Sequence, residues 1–85
     1  MPQIKVYGAD WCSLTKGTRA HLDELGVAYD YIDVEQDATA AQWVRDQNDG
    51  KERKPTLDIA GQVLSEPSNE ELDRTLRAQG LFPKS

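Results

Sequence analysis

Apolar and polar residues alternate over Ile4-Lys5-Val6-Tyr7, the period of a short strand with one face turned inward. Gly8-Ala9-Asp10-Trp11 breaks that pattern, and from Cys12-Ser13 onward a helical one takes over. Leu14, Thr18, His21, Leu22 and Leu25 recur at roughly 3.6-residue spacing, which predicts a helix with the leucines on its buried stripe. Gly26 stands where such a helix stops. Gly17 inside it costs about 1 kcal/mol relative to alanine, and the sequence offers no reason for it.

Val27 to Val34 (VAYDYIDV) is rich in β-formers and free of Gly and Pro, so it reads as a second strand. Asp37 is placed to cap a second helix whose apolar side is Ala40, Ala41, Val44 and Trp43. That helix gives way to the turn cluster Gln47-Asn48-Asp49-Gly50 and a polar loop, Lys51-Glu52-Arg53-Lys54, ending at Pro55. Thr56–Ile59 and Gln62–Leu64 are two short strands joined tightly through Ala60-Gly61. A last helix opens at Ser68-Asn69, with Ser68 and Glu71 at capping-box spacing, buries Leu72 and Leu76, and ends at Gly80. Pro83 prevents its resumption.

The order is β-α-β-α-β-β-α. The first β-α-β is expected to be a parallel, right-handed crossover, and the closing hairpin to add antiparallel strands. This is an α/β chain with a mixed four-stranded sheet flanked by three helices. Its 85 residues leave room for one domain, 1–85, with one modest core.

Composition narrows the function. Ten Lys and Arg stand against fifteen Asp and Glu, net −5, with no dense basic run, which argues against nucleic acid. No apolar stretch approaches the roughly 18 residues that would span a membrane. Met1-Pro2-Gln3 runs at once into a strand, so no signal peptide is expected and a cytoplasmic location is the default. One cysteine excludes an internal disulfide, a cysteine-built zinc site and any intramolecular dithiol cycle; one histidine excludes a histidine-rich site, so no metal is expected.

The candidate chemistry is Cys12. At a strand-to-helix junction a sulfur meets unpaired N–H groups and the positive end of the helix dipole, and both favour thiolate, the nucleophilic form. Lys16, one turn on, adds positive charge, and Asp10, two residues earlier, opposes it. A lone cysteine in a globular chain is also often a small buried apolar residue. Pro55 suits the first position of a strand and also fits a cis bond, but only about 5–6 % of X–Pro bonds are cis and the local sequence alone does not justify that reading. Trp11 is either a contact platform beside the sulfur or partly buried. Tyr29 and Tyr31 read as sheet packing, His21 carries no assigned role, and Glu70, Glu71 and Asp73 read as a solvated face. No pair of acids has the setting of a glycosidase or aspartic protease.

Tyr7-Gly-Ala-Asp-Trp-Cys12-Ser-Leu-Thr15, Asn48-Asp-Gly50, Lys54-Pro55-Thr56 and Leu64-Ser-Glu-Pro-Ser68 occur in the order seen in glutaredoxins. The chain resembles that family over nearly its whole length, and most resembles its short mycoredoxin-type members. The resemblance implies a thioredoxin fold with Cys12 as nucleophile and Pro55 in cis facing it. It implies that the Lys54 backbone pairs with the cysteinyl part of a low-molecular-weight thiol such as glutathione. Ser68 and Asn69, opening the last helix, would receive that ligand's γ-glutamyl carboxylate, and Lys16, Gln47 or Arg53 its glycyl carboxylate. The thiol is a co-substrate, with no covalently bound cofactor. The expected partners are small thiols and protein mixed disulfides, and a monomer is the default state.

Two features depart from the family. Thr15 stands where the resolving cysteine is usual, which leaves a monothiol cycle; its hydroxyl either donates to the thiolate or is simply a tolerated first-turn residue. Ser65-Glu66-Pro67 replaces a Gly-Gly pair, and there Pro67 offers no N–H while Glu66 repels a carboxylate. This weakens glutathione specifically and is compatible with another small thiol. A monothiol thiol–disulfide oxidoreductase is the leading function. A thioredoxin-fold binding module without turnover is the alternative, and a carrier of a bridged iron–sulfur cluster the third.

Overall fold

The protein is described here by a computed structural model covering residues 3–83. Its elements are β1 (Ile4–Gly8), α1 (Ser13–Leu25), β2 (Asp30–Asp33), α2 (Ala38–Gln47), β3 (Thr56–Ile59), β4 (Gln62–Ser65) and α3 (Asn69–Ala78). The sheet order is β2-β1-β3-β4, with β1 parallel to β2 and antiparallel to β3, and β3 antiparallel to β4. The expected α/β architecture, three helices on a mixed four-stranded sheet, is what forms.

Strand alternation sends side chains to two separate cores. Ile4 and Val6 of β1, Leu57 and Ile59 of β3 and Leu64 of β4 meet Leu22 of α1 and Leu72 and Leu76 of α3. Val34 with Ala40, Ala41 and Val44 of α2 forms the smaller opposite cluster, against which Tyr7, Ile32 and Trp43 pack. Tyr7 and Trp43 stack with ring centroids 4.4 Å apart. The small residues of α2 let that helix sit close, whereas branched side chains fill the larger core.

The helix boundaries follow their caps. Asp37 accepts from the Ala40 N–H at 3.0 Å, and Ser68 accepts from the Glu71 N–H at 3.1 Å. Gly26 closes α1 in the left-handed region, φ 76°. Ala60 (φ 50°) and Gly61 (φ 95°) make the hairpin turn, the conformation of a two-residue hairpin loop.

Three expectations are corrected. The second strand is Asp30–Asp33 rather than Val27–Val34, because β1 offers register partners only from Lys5 (to Asp30) through Gly8 (to Asp33). Val27 and Tyr29 pack on the core without joining the ladder. The buried line of α1 is Thr15, Thr18 and Leu22, and Leu14 is 55 % exposed. The helix is rotated so that Thr15, one residue along, meets β1. Asp73 is half-buried rather than on a solvated face, its carboxylate 2.7 Å from Nε2 of His21, which ties α3 to α1. Nothing in the structure explains Gly17, whose surroundings are open.

Candidate active site

Cys12 is the N-cap of α1, in extended conformation (φ −81°, ψ 120°). The loop before it is pinned on both sides. The Cys12 N–H donates to Ala9 O at 3.1 Å, and the Cys12 carbonyl accepts from the Lys16 N–H at 3.0 Å as the first bond of the helix. The Tyr31 hydroxyl donates to Asp10 Oδ1 at 2.7 Å, and the Trp11 indole N–H donates to Glu35. Burial, and next the hydrogen bond to Asp10, push the Tyr31 hydroxyl well above the usual phenol range, so it remains a donor. Arg19 lies over the Tyr31 ring, 3.9 Å from its centroid.

The sulfur of Cys12 points to the segment before β3. Its S–H donates to the Lys54 carbonyl at 3.6 Å, within the range of a sulfur hydrogen bond, and the Lys54–Pro55 peptide is cis. Asn48 and Thr56 fasten this segment. The Asn48 amide donates to Val44 O at 2.7 Å and to Thr56 Oγ1 at 3.2 Å, and the Thr56 hydroxyl donates to Arg53 O at 2.8 Å. On the sequence alone Asn48 reads only as a turn former. The Glu66 N–H donates to Pro55 O at 2.8 Å, joining the loop after β4 to the same place.

The thiol is held below its ordinary pKa. Burial pushes it up, but the Thr15 backbone N–H, the Thr15 hydroxyl, the Leu14 N–H and the Lys54 charge together outweigh that. The neutral thiol makes no capping hydrogen bond, since its proton is turned to Lys54. These donors act on the charged form, which accepts where the thiol donates. The acting cation is thus Lys54 and not Lys16. Lys16 is exposed on α1 and lies outside the cleft.

Thr15 is fully buried, and its Oγ1 accepts from the Ala9 N–H at 3.5 Å. A Cβ at Gly8 would lie 2.5 Å from both Cγ2 and Oγ1 of Thr15. Gly8 is therefore a site residue that sequence patterning passes over as a loop breaker. It lets the first turn of α1 close onto β1.

Trp11, Cys12, Lys51, Glu52, Arg53, Lys54 and Glu66 line an open cleft of about 490 Å³. Trp11 is 65 % exposed, which settles it as surface rather than core. The Lys54 ammonium stands 5.1 Å from the Trp11 ring centroid and 3.0 Å from Glu52 Oε1. The hydrogen bond from Lys54, against a smaller burial effect, holds the Glu52 carboxyl below its usual range, with Arg45 adding to it. Arg53 and Glu66 pair at 3.2 Å. Pro55 is buried behind this surface, while Ser68 and Asn69 open α3 outside the cleft lining. Gln47, at the end of α2, is also outside it. A larger concavity of about 590 Å³ lies between β2 and α2, around Tyr7, Tyr31 and Trp43. It holds no thiol, whereas the one cysteine of the chain lines the smaller cleft. Among the described residues no three His, Cys, Asp or Glu side chains cluster as metal ligands.

A family model described as Glutaredoxin matches residues 4–64. The chain belongs to the glutaredoxin family. Mycoredoxin 1 of Corynebacterium glutamicum is 40 % identical to this glutaredoxin over 57 residues, 67 % of this chain and 70 % of the relative. A glutaredoxin-like protein of Mycobacterium tuberculosis is 31 % identical over 74 residues, 86 % and 88 % of the two chains. Among solved structures, a thioredoxin-like protein superposes with a TM-score of 0.80 at 30 % identity, covering 91 % of this chain and 97 % of that one. The Archaeoglobus fulgidus glutaredoxin, at 21 % identity and a TM-score of 0.76, shares the fold, covering 91 % and 88 %. Family and fold make this glutaredoxin a thiol–disulfide oxidoreductase, and its single cysteine fits the monothiol type.

Proposed function

We propose that this glutaredoxin removes small thiols from mixed disulfides by a monothiol cycle centred on Cys12. The Cys12 thiolate attacks the sulfur of the small thiol in a protein mixed disulfide. The old S–S bond breaks, the protein leaves as thiolate, and Cys12 carries the small thiol. A second small thiolate then attacks the carried sulfur, releasing a symmetrical small disulfide and regenerating the Cys12 thiolate. No internal resolving thiol takes part, because there is none.

The observation that carries this reading is the convergence on one sulfur. Cys12 caps α1, lies 3.6 Å from the Lys54 carbonyl, and is lowered in pKa by Thr15, Leu14 and Lys54 against burial. In this reading Thr15 and Lys54 activate the sulfur, the Lys54 backbone beside Pro55 aligns the incoming disulfide, and Trp11 with Arg53 forms the cleft wall. Lys16 on α1, and Ser68 and Asn69 at the start of α3, are the outer contacts for a longer thiol. The co-substrate is glutathione or another low-molecular-weight thiol, and the protein works as a cytoplasmic monomer. Among the described residues no helix is long and apolar enough to cross a membrane.

The test is reduction of a defined mixed disulfide with a small thiol as reductant, read with mass spectrometry of the protein. Turnover together with a Cys12–thiol adduct, both lost in Cys12→Ser, is the expected result. Partner binding by Cys12→Ser with no turnover by the wild type would instead establish the binding-module alternative.

A further inference from the structure

Glu66 is an unusual residue in an informative place. Its φ of 48° lies in the left-handed region, which residues without a short polar side chain rarely adopt. Such outliers persist where surrounding bonds over-determine them, and they gather at functional sites. Here the Glu66 N–H is bound to Pro55 O at 2.8 Å, and the side chain lines the cleft that holds Cys12. Its Oε2 meets Arg53 Nη1 at 3.2 Å.

We propose that Glu66 is a specificity-determining residue, which by holding Arg53 biases exchange at Cys12 against carboxylate-bearing small disulfides and toward neutral and cationic ones. This rests on the oxidoreductase reading and names its substrate class.

The cleft's charges decide the direction. Three cations, Lys51, Arg53 and Lys54, face two carboxylates, Glu52 and Glu66. Lys54 is paired with Glu52 at 3.0 Å and Arg53 with Glu66, so both cations that precede Pro55 are engaged, and among the described residues Lys51 alone of the three has no carboxylate partner. A ligand carboxylate that approaches Arg53 competes with Glu66 for the guanidinium and stands beside a second carboxylate. A hydroxyl or ammonium group meets no such conflict and finds Glu66 as an acceptor. The pair is partly exposed, with side-chain accessibilities of 45 % for Arg53 and 35 % for Glu66. A pair in that setting discriminates by up to about five-fold, not by orders of magnitude.

The experiment measures Cys12 exchange with three symmetrical disulfides of similar size: cystamine, hydroxyethyl disulfide and dithiodipropionate. In each, the Cys12 thiolate attacks one sulfur, the S–S bond breaks, and one thiolate leaves as the Cys12 adduct forms. Formation of that adduct is followed by mass. For Glu66→Gln the rate ratio of dithiodipropionate to hydroxyethyl disulfide is expected to rise by up to about five-fold over wild type. Glu66→Gly, whose backbone suits the left-handed region, is expected to move it the same way, and Arg53→Gln the opposite way. An unchanged ratio in both Glu66 variants, with all three disulfides still exchanging, overturns the proposal alone. Exchange of the wild-type protein with none of the three overturns the oxidoreductase reading and this proposal with it.

Discussion

Gly8→Ala tests how the nucleophile is held. The added Cβ would stand 2.5 Å from Cγ2 and Oγ1 of Thr15, nearly an ångström inside the 3.4 Å at which ordinary contact begins. Thr15 is fully buried, so neither atom can rotate into solvent. The remaining freedom is to push the first turn of α1 away from β1, which moves Cys12, the residue before that turn. Overpacking of this kind costs about 1–3 kcal/mol. For a domain of this size that is about 4–8 °C in Tm for each kcal/mol. The movement also draws the Thr15 and Leu14 donors away from the sulfur, so the pH midpoint of Cys12 alkylation is expected to rise. A double-mutant cycle with Thr15→Ala isolates the clash, since the second substitution removes the two nearest atoms and leaves only the residue 15 Cβ, 3.1 Å from the added one. Thermal unfolding and alkylation of the four proteins are the assays. Gly8→Ala is expected to cost much less in the Thr15→Ala background than in the wild type. Equal cost in both backgrounds, or a wild-type Tm for Gly8→Ala alone, would refute the argument.

Thr15→Val and Lys54→Gln each remove one stabiliser of the thiolate, and both are expected to raise the alkylation midpoint, whereas Lys16→Gln is expected to leave it unchanged. Ser68→Ala removes the cap of α3 and is expected to cost about 1 kcal/mol in chemical denaturation. Leu72→Ala opens the larger core and is expected to cost about 2–5 kcal/mol in the same assay. Because the folded thiol is held below its unfolded pKa, its ionisation contributes stability that is fully present above the unfolded pKa and lost as pH falls through the folded one. The Tm of wild type relative to Cys12→Ser is therefore expected to increase as pH rises through that window.

The element order was legible because period and punctuation agree: Gly26, Asp37, Ala60-Gly61 and Ser68 each mark a boundary by local chemistry that the structure repeats. Strand ends were less legible. The extent of β2 depends on what β1 offers as partner, and Val27–Tyr29 has β-forming residues without a neighbour to pair. The phase of α1 went astray because a leucine outranks a threonine in any hydrophobicity count. Thr15 is buried because Gly8 leaves room for it and the Ala9 N–H needs an acceptor. Cys12 stands out in the sequence by its junction and Pro55 by its place after a charged loop, whereas Lys54 enters only through the resemblance to the family. That Lys54 rather than Lys16 stands beside the sulfur is a matter of tertiary structure. It rests on Asn48 and Thr56 fastening residues more than forty positions away in sequence beside Cys12.

The central claim is that Cys12 is an activated nucleophile, and the most direct test is its rate of alkylation by iodoacetamide as a function of pH. It requires no knowledge of the thiol or the protein substrate. A midpoint clearly below the value of an unperturbed thiol, about 8.5, on the folded protein is the expected result. A midpoint at or above that value, or no labelling until the chain unfolds, would contradict it.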